Sequence, residues 1–304
     1  VSPILRQGCE VTLQTRAAVE PIHRGPERAP IQPWGIPDLD LKSGPYRARF
    51  ARTRADVEAA QRLRFQVFNL ELGEGLQASY STGRDEDQYD DRCHHLLVEH
   101  AETKQVVGTY RLMTEHMAGT AGFYSETEFH LEVLPPWIRE EGVELGRACV
   151  DAAHRSGRVI YLLWKGIAAY LAHNQLRYLF GCCSVPATDP GVGLKLHLQL
   201  AKEGRLLDGF VARATRSCAC HGGTVVSEAV PLPALFKVYL DMGAEVCSEP
   251  AIDREFGVID FLIVLDVEKL DDRTRRRMFG SSKKPKGAVQ EASSEPESRQ
   301  GYEH

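Results

Sequence analysis

Between Glu144 and Leu171 the chain runs, without interruption, through an acid- and base-bearing strand, a basic turn and a long apolar helix. Glu144, Leu145, Gly146, Arg147, Ala148, Cys149 and Val150 make the strand, and His154, Arg155, Gly157 and Arg158 make the turn. Val159, Leu162, Leu163, Ile167, Tyr170 and Leu171 then recur at helical spacing as a wide stripe, which predicts a helix set into a core. A strand that ends in charged groups and feeds a helix N-terminus is a place for an anion and a reacting centre. The geometry carries one condition. In a straight strand Glu144 and Arg147 point to opposite faces, because their separation is odd. A bulge near Gly146 would bring both to one site.

The rest of the chain supplies walls and partners for that unit. Residues 1–44 hold Pro3, Pro21, Pro26, Pro30, Pro33 and Pro37 with no sustained periodicity, and are expected to be a disordered leader. Residues 46–52 alternate as an edge strand. Thr53 and Asp56 have capping-box spacing, and Val57, Ala60, Leu63, Val67 and Phe68 make the apolar face of the helix that follows. Arg64 lies within that face, either snorkelling or paired with a carboxylate. A polar connection then carries Asp85, Glu86, Asp87, Asp90 and Asp91. Residues 95–98 and 106–113 form a predicted hairpin, with Arg111 inside its strongly apolar second strand. Ser125 and Glu128 suggest a second capping box, and Pro135 and Pro136 end that segment.

After the central helix, residues 176–185 read as a buried strand in mid-sheet, and residues 189–202 and 233–240 as helices. Residues 203–230 have no assignable pattern, and residues 256–266 form a last core strand. Residues 271–304 are expected to be a tail, basic at Arg273, Arg275, Arg276, Arg277, Lys283, Lys284 and Lys286, then Ser- and Glu-rich. Its disordered reading competes with a weak contact to anionic lipid. The net charge of -5 argues against wholesale nucleic-acid binding, and no run has the roughly 18 apolar residues that read as a membrane span. No secretory signal is expected. The eight cysteines are expected to be free thiols in a reducing cytoplasm. Cys218, Cys220 and His221 lack the spacing of a zinc site, so no metal is expected.

The order of elements resembles the GNAT superfamily of N-acyltransferases. The resemblance implies an α/β fold with a mixed, mostly antiparallel central sheet flanked by helices, here over residues 45–270. The turn at Arg155, Gly157 and Arg158 departs from the Gly-rich CoA cradle of ordinary acetyl-CoA enzymes. A narrower group fits the departures. Residues 64–68, 87–98, 106–112, 123–129, 144–150, 163–167, 180–184 and 249–257 together resemble the ornithine acyl-[acyl carrier protein] N-acyltransferases of lyso-ornithine lipid synthesis. That group is similar in turn to acyl-homoserine-lactone synthases.

The resemblance implies transfer of a 3-hydroxylated fatty acyl chain from acyl carrier protein to the α-amine of ornithine, with no bound cofactor. Acylation of glycine or tyrosine, formation of a signalling amide, and non-catalytic binding of lipid or acyl carrier protein are the alternatives. Direct attack of an amine on a thioester needs a base and a stabilised oxyanion. By analogy Glu144 is the base, and Arg147 orients it or holds the substrate carboxylate. Asp87 and Asp90 bind the amino-acid head or pair with Arg64 and Arg111. Arg155, Arg158 and Lys165 meet the acyl carrier protein and its phosphopantetheine. The competing reading makes Arg64, Asp87, Asp90, Arg111, Glu144 and Arg147 a buried ion network alone. The expected location is cytoplasmic, with peripheral contact to the inner face of a membrane.

Overall fold

The computed structural model describes residues 35–155 and 157–280. Its strands are β1 (Leu41–Ser43), β2 (Tyr46–Phe50), β3 (His94–His100), β4 (Val106–Thr114), β5 (Gly142–Val150), β6 (Tyr178–Val185), β7 (Glu245–Val246), β8 (Ala251–Asp253) and β9 (Val258–Asp266). Its helices are α1 (Arg54–Arg64), α5 (Gly157–Asn174), α6 (Pro190–Lys202), α7 (Ala234–Asp241) and α8 (Asp272–Phe279), with single turns α2 (Ser79–Thr82), α3 (Glu115–Ala118) and α4 (Pro136–Glu140) between them. One sheet runs in the order β1-β2-β3-β4-β5-β6-β9-β7, with β8 also paired to β9. The pairing of β5 with β6 is parallel and the other pairings are antiparallel. This is the mixed, mostly antiparallel sheet expected from the sequence.

Local chemistry explains the elements that frame the site. Thr53 Oγ1 accepts from the Asp56 backbone N–H at 3.2 Å and Asp56 returns the bond to the Thr53 N–H at 3.0 Å, so the expected capping box starts α1. Past Arg64 the helix continues as a wide π-type turn over Phe65–Glu71. Helix α5 buries Val159, Leu162, Leu163, Ile167, Tyr170 and Leu171, as the stripe predicts, and lies across β1 to β4. Burying each of its larger aliphatic side chains contributes about 1.5–3 kcal/mol. Close approach needs Gly166, where an added Cβ would sit 2.6 Å from Leu96. Strand β9, apolar but for its aspartates, is buried along its whole length, and β6 sits between it and β5 in mid-sheet.

Two expected boundaries move. The expected leader lies outside the described residues as far as residue 34, but its last part is folded. Leu41, Lys42 and Ser43 pair with Ala48, Arg47 and Tyr46, and Ile36, Leu39 and Leu41 pack on the core. At the other end, the basic segment expected as tail is α8, capped by Asp271, which accepts from the Arg273 and Thr274 N–H groups. Its Met278 is buried and Phe279 packs on the same core; the hydrophobic pair docks the helix and leaves Arg273, Arg276 and Arg277 exposed. Lys283, Lys284 and Lys286 lie outside the described residues. Among the described residues no helix is long and apolar enough to cross a membrane, and the seven cysteines there are free thiols.

Candidate active site

Strands β5 and β6 pair for only three residues, Gly142, Val143 and Glu144 against Tyr178, Leu179 and Phe180. Beyond Glu144 they diverge. Gly181 permits this, with φ 155° and no room for a side chain, since an added Cβ would lie 2.3 Å from the Leu145 carbonyl. The gap is a cavity of about 200 Å³ lined on one side by Glu144, Leu145, Gly146, Arg147 and Ala148 and on the other by Cys182, Cys183 and Ser184.

On its other edge β5 carries the expected bulge, displaced by one residue. Thr109 faces Cys149 and Arg111 faces Gly146, so Arg147 and Ala148 together oppose Tyr110. Arg147 itself takes the left-handed backbone, φ 51°, at a cost of about 1–2 kcal/mol for a residue with a Cβ. Glu144 and Arg147 thereby line one cavity, together with Arg111.

What holds Arg147 in that conformation is a ring of charges. Arg64 donates to Asp90 at 2.7 and 2.8 Å and to Asp85 at 2.9 Å. Arg111 reaches Asp90 at 3.1 Å and both oxygens of Asp87 at 2.7 Å. Arg147 meets Asp87 at 3.0 Å and Asp85 at 3.4 Å. Three arginines and three aspartates thus alternate in a closed, neutral circuit, each ion with two opposite partners. Burial alone would raise the aspartate pKa values, but Arg111 and Arg147 hold Asp87 below the usual carboxylate range, and Arg64 and Arg111 hold Asp90 well below it. The Arg147 guanidinium also lies between the rings of Tyr124 and Phe256, 4.7 and 4.3 Å from their centres.

Glu144 is buried and anchors the 3₁₀ turn Tyr124–Thr127. Its Oε1 accepts from the Ser125 N–H at 2.7 Å and from Ser125 Oγ; its Oε2 accepts from the Tyr124 N–H at 3.0 Å. Burial pushes the Glu144 carboxyl up and these bonds oppose the shift. Oε2, with one donor, keeps an open lone pair.

The expected site residues therefore divide. Arg111, Glu144 and Arg147 line the cavity. Arg64, Asp87 and Asp90 are not among the residues that line the cavity and are members of the ring, in which Asp87 and Asp90 pair with Arg111 and Asp90 also with Arg64. The ion pairs of Arg147 run to Asp85 and Asp87, not to Glu144. Arg155 is half exposed and pairs with Glu71 at 2.5 Å, Arg158 is exposed beside Gly44, and Lys165 lies near the Tyr161 ring. None of these three lines the cavity.

Three features escaped the sequence reading. Asp85, fully buried, completes the ring; in the sequence it is one of five acids in a loop. Glu74 lines the cavity, its pKa raised by burial. The supposed cap at Ser125 and Glu128 is not one: Glu126 accepts from the Phe123 N–H, and Ser125 is spent on Glu144. Glu128 instead lies buried with Asp253 and Asp260, their carboxyl oxygens within 4.8 Å of one another. Burial with its two acidic neighbours pushes Glu128 well up, and burial pushes Asp260 up to about 6.

The family described as Acetyltransferase (GNAT) domain matches residues 63–165, from the end of α1 through the ring and the bulge into α5. Fold and site together define an acyltransferase of the GNAT class. The L-ornithine N(alpha)-acyltransferase of Brucella abortus (strain 2308) is 36% identical over 252 residues, covering 76% of this chain and 87% of its own. That of Rhizobium meliloti (strain 1021) is 34% identical over 242 residues, covering 74% of this chain and 81% of its own. The chain belongs to the L-ornithine N(alpha)-acyltransferase family. Among solved structures, the AHL synthase LasI is 14% identical with a TM-score of 0.43, covering 77% of this chain and 95% of its own.

Proposed function

We propose that the protein transfers a 3-hydroxylated fatty acyl chain from the thioester of acyl carrier protein to the α-amine of ornithine. The observation that carries this reading is the cavity at the β5–β6 divergence. It places two guanidinium groups, Arg111 and Arg147, and the Glu144 carboxyl around a slot open to an extended donor. The relatives named above as L-ornithine N(alpha)-acyltransferases support the acceptor.

In this reading the pantetheine arm of the donor enters between the diverging strands, as an added strand does at an open sheet edge. The backbone of β5 beyond Glu144 offers N–H groups to the thioester carbonyl, where negative charge develops. Arg147, with Arg111 beside it, holds the substrate carboxylate. Glu144 Oε2 takes a proton from the α-ammonium, the freed amine attacks the carbonyl carbon, and the C–S bond breaks. Glu144 releases that first proton to solvent, takes the second proton from the nitrogen once the N–C bond has formed, and passes it to the departing thiolate, so the products are an amide, the free thiol and one proton. The thioester is a co-substrate, and the chain holds no resident cofactor. Arg155, Arg158 and Lys165, on the turn before α5 and its first turns, contact the carrier protein. The exposed Arg273, Arg276 and Arg277 of α8 give peripheral contact with an anionic membrane surface on the cytoplasmic side.

The test is incubation of the purified protein with 3-hydroxyacyl carrier protein and a panel of amino acids, with N-acyl products read by mass spectrometry. Ornithine is expected to give the product. Product with glycine and not ornithine would replace the acceptor, and no product with any amino acid would remove the enzymatic reading.

A further inference from the structure

The Arg/Asp ring is balanced, but a second buried charge cluster beside the same cavity is not. Glu128 follows the 3₁₀ turn anchored by Glu144, Asp253 ends β8, and Asp260 lies in β9. They are 2%, 8% and 3% exposed. Asp253 and Asp260 line the cavity. Among the described residues no lysine or arginine forms an ion pair with any of the three, while like charges at this spacing repel strongly in a buried site.

The partners of the three carboxyls show where capacity remains. Asp253 Oδ1 accepts from the backbone N–H groups of Glu255 and Phe256 at 2.8 and 3.0 Å, and its Oδ2 from the Tyr124 hydroxyl at 3.1 Å. Asp260 Oδ1 accepts from Ser184 Oγ at 2.6 Å. Glu128 is different: neither of its oxygens receives an N–H or hydroxyl donor, one of them lies within 4.8 Å of an oxygen of each of the other two acids, and only the Asp260 carboxyl stands in hydrogen-bond reach. A carboxyl this buried can remain undonated only by sharing a proton with its neighbour or by receiving a cation from outside.

The surroundings favour one kind of cation. Tyr124 stands between the cluster and the guanidinium groups: its ring faces Arg147 at 4.7 Å and Arg111 at 5.6 Å, and its hydroxyl meets Asp253. One phenol ring thus separates a site for a carboxylate from a site for a cation, a span that a short methylene chain covers. A compact ammonium with three N–H donors suits the few open lone pairs here. A hard divalent ion would need six or more oxygens.

We propose that Glu128, Asp253 and Asp260 form an ammonium subsite that binds the side-chain amine of a diamino-acid acceptor. The inference rests on the ornithine reading above and adds the means of selection. Held protonated by the acids, the δ-nitrogen has no lone pair for attack, so acyl transfer is directed to the α-amine beside Glu144. An amino acid without a terminal cation leaves the cluster without its partner.

The experiment compares the full chain with Glu128→Gln and Asp260→Asn, near-isosteric changes that remove buried like charge and are expected to fold; circular dichroism and melting temperature check this. Calorimetry measures ornithine and norvaline (the same chain without the δ-amine) binding, and turnover with 3-hydroxyacyl carrier protein is measured alongside. Wild type is expected to prefer ornithine. Each variant is expected to lose about tenfold or more of the ornithine-over-norvaline selectivity, the scale of a lost charged hydrogen bond. Unchanged ornithine affinity, or an equal loss for both amino acids, overturns the subsite. So does a stoichiometric divalent metal in the purified wild type that Asp260→Asn loses, because the cluster would then be a metal site. Selective ornithine binding without turnover would instead overturn the acyltransfer reading and leave the subsite standing.

Discussion

Replacing Arg64 by leucine tests the charge ring at a fully buried member, away from the cavity lining. The side chain is fully buried and donates to Asp85 and to both oxygens of Asp90. Its loss leaves two buried carboxylates without their main donor and changes the ring from neutral to one net negative charge. Breaking a buried pair by removing one partner costs about 3–5 kcal/mol. For a domain of this size each kcal/mol lowers the melting temperature by about 2–4 °C, so the drop is roughly 6–20 °C. The sign of the pH dependence adds a second readout. Asp87 and Asp90 have depressed pKa values, so their stabilisation is present above the ordinary carboxylate pKa and lost as pH falls through the folded values. In Arg64→Leu the orphaned Asp90 instead takes up a proton readily. The deficit is therefore largest near neutral pH and shrinks towards about pH 4. Adding Asp90→Asn removes the orphaned charge and should recover part of the loss, as a double-mutant cycle would show. Scanning calorimetry from pH 4 to 8 measures all three variants. A drop of less than about 3 °C at neutral pH, or a deficit that does not vary with pH, would refute the ring as the structural support of the site.

Other outcomes follow from the same geometry. Glu144→Gln should lower kcat by about 10²–10⁴, the usual share of a general base, with the fold kept; unchanged turnover would take Glu144 out of the chemistry. Because burial raises the Glu144 pKa, wild-type kcat/KM should climb with pH on its acid side at a midpoint above the ordinary glutamate range, and Glu144→Gln should flatten that limb. Gly181→Ala places a Cβ 2.3 Å from the Leu145 carbonyl, so β5 and β6 must shift, at about 1–3 kcal/mol of stability. Thermal unfolding and the KM for the acyl donor should both worsen, and an unaffected donor KM would argue against the strand gap as the donor slot.

The legible parts of this protein were those written in local spacing. The α5 stripe, the Thr53–Asp56 capping box and the buried runs of β6 and β9 each declare themselves within a few residues. The need for a bulge was also visible, because Glu144 and Arg147 are an odd number apart. Its position was not. Gly146 is the residue that tolerates distortion, yet the ring pulls on Arg147, and its two aspartate partners come from a loop more than fifty residues earlier. Loop acids have no periodicity, so Asp87 and Asp90 could be chosen by resemblance while Asp85, equally essential to the circuit, was passed over. Glu128 was misread for a related reason: Ser125 and Glu128 have cap spacing, but Glu144 captures Ser125 from another strand. The fold of residues 41–43 was hidden because β1 is too short to show a pattern, and it is held by pairing with β2 and by packing on the core.

The central claim is that one cavity grips an amino acid at both ends and presents its α-amine to a thioester. The most direct measurement is the site of acylation, using ornithine labelled with ¹⁵N at either the α or the δ nitrogen, 3-hydroxyacyl carrier protein as donor, and fragmentation mass spectrometry of the product. The account predicts that the amide forms at the α-nitrogen alone. An amide at the δ-nitrogen, or a mixture of the two, would contradict it.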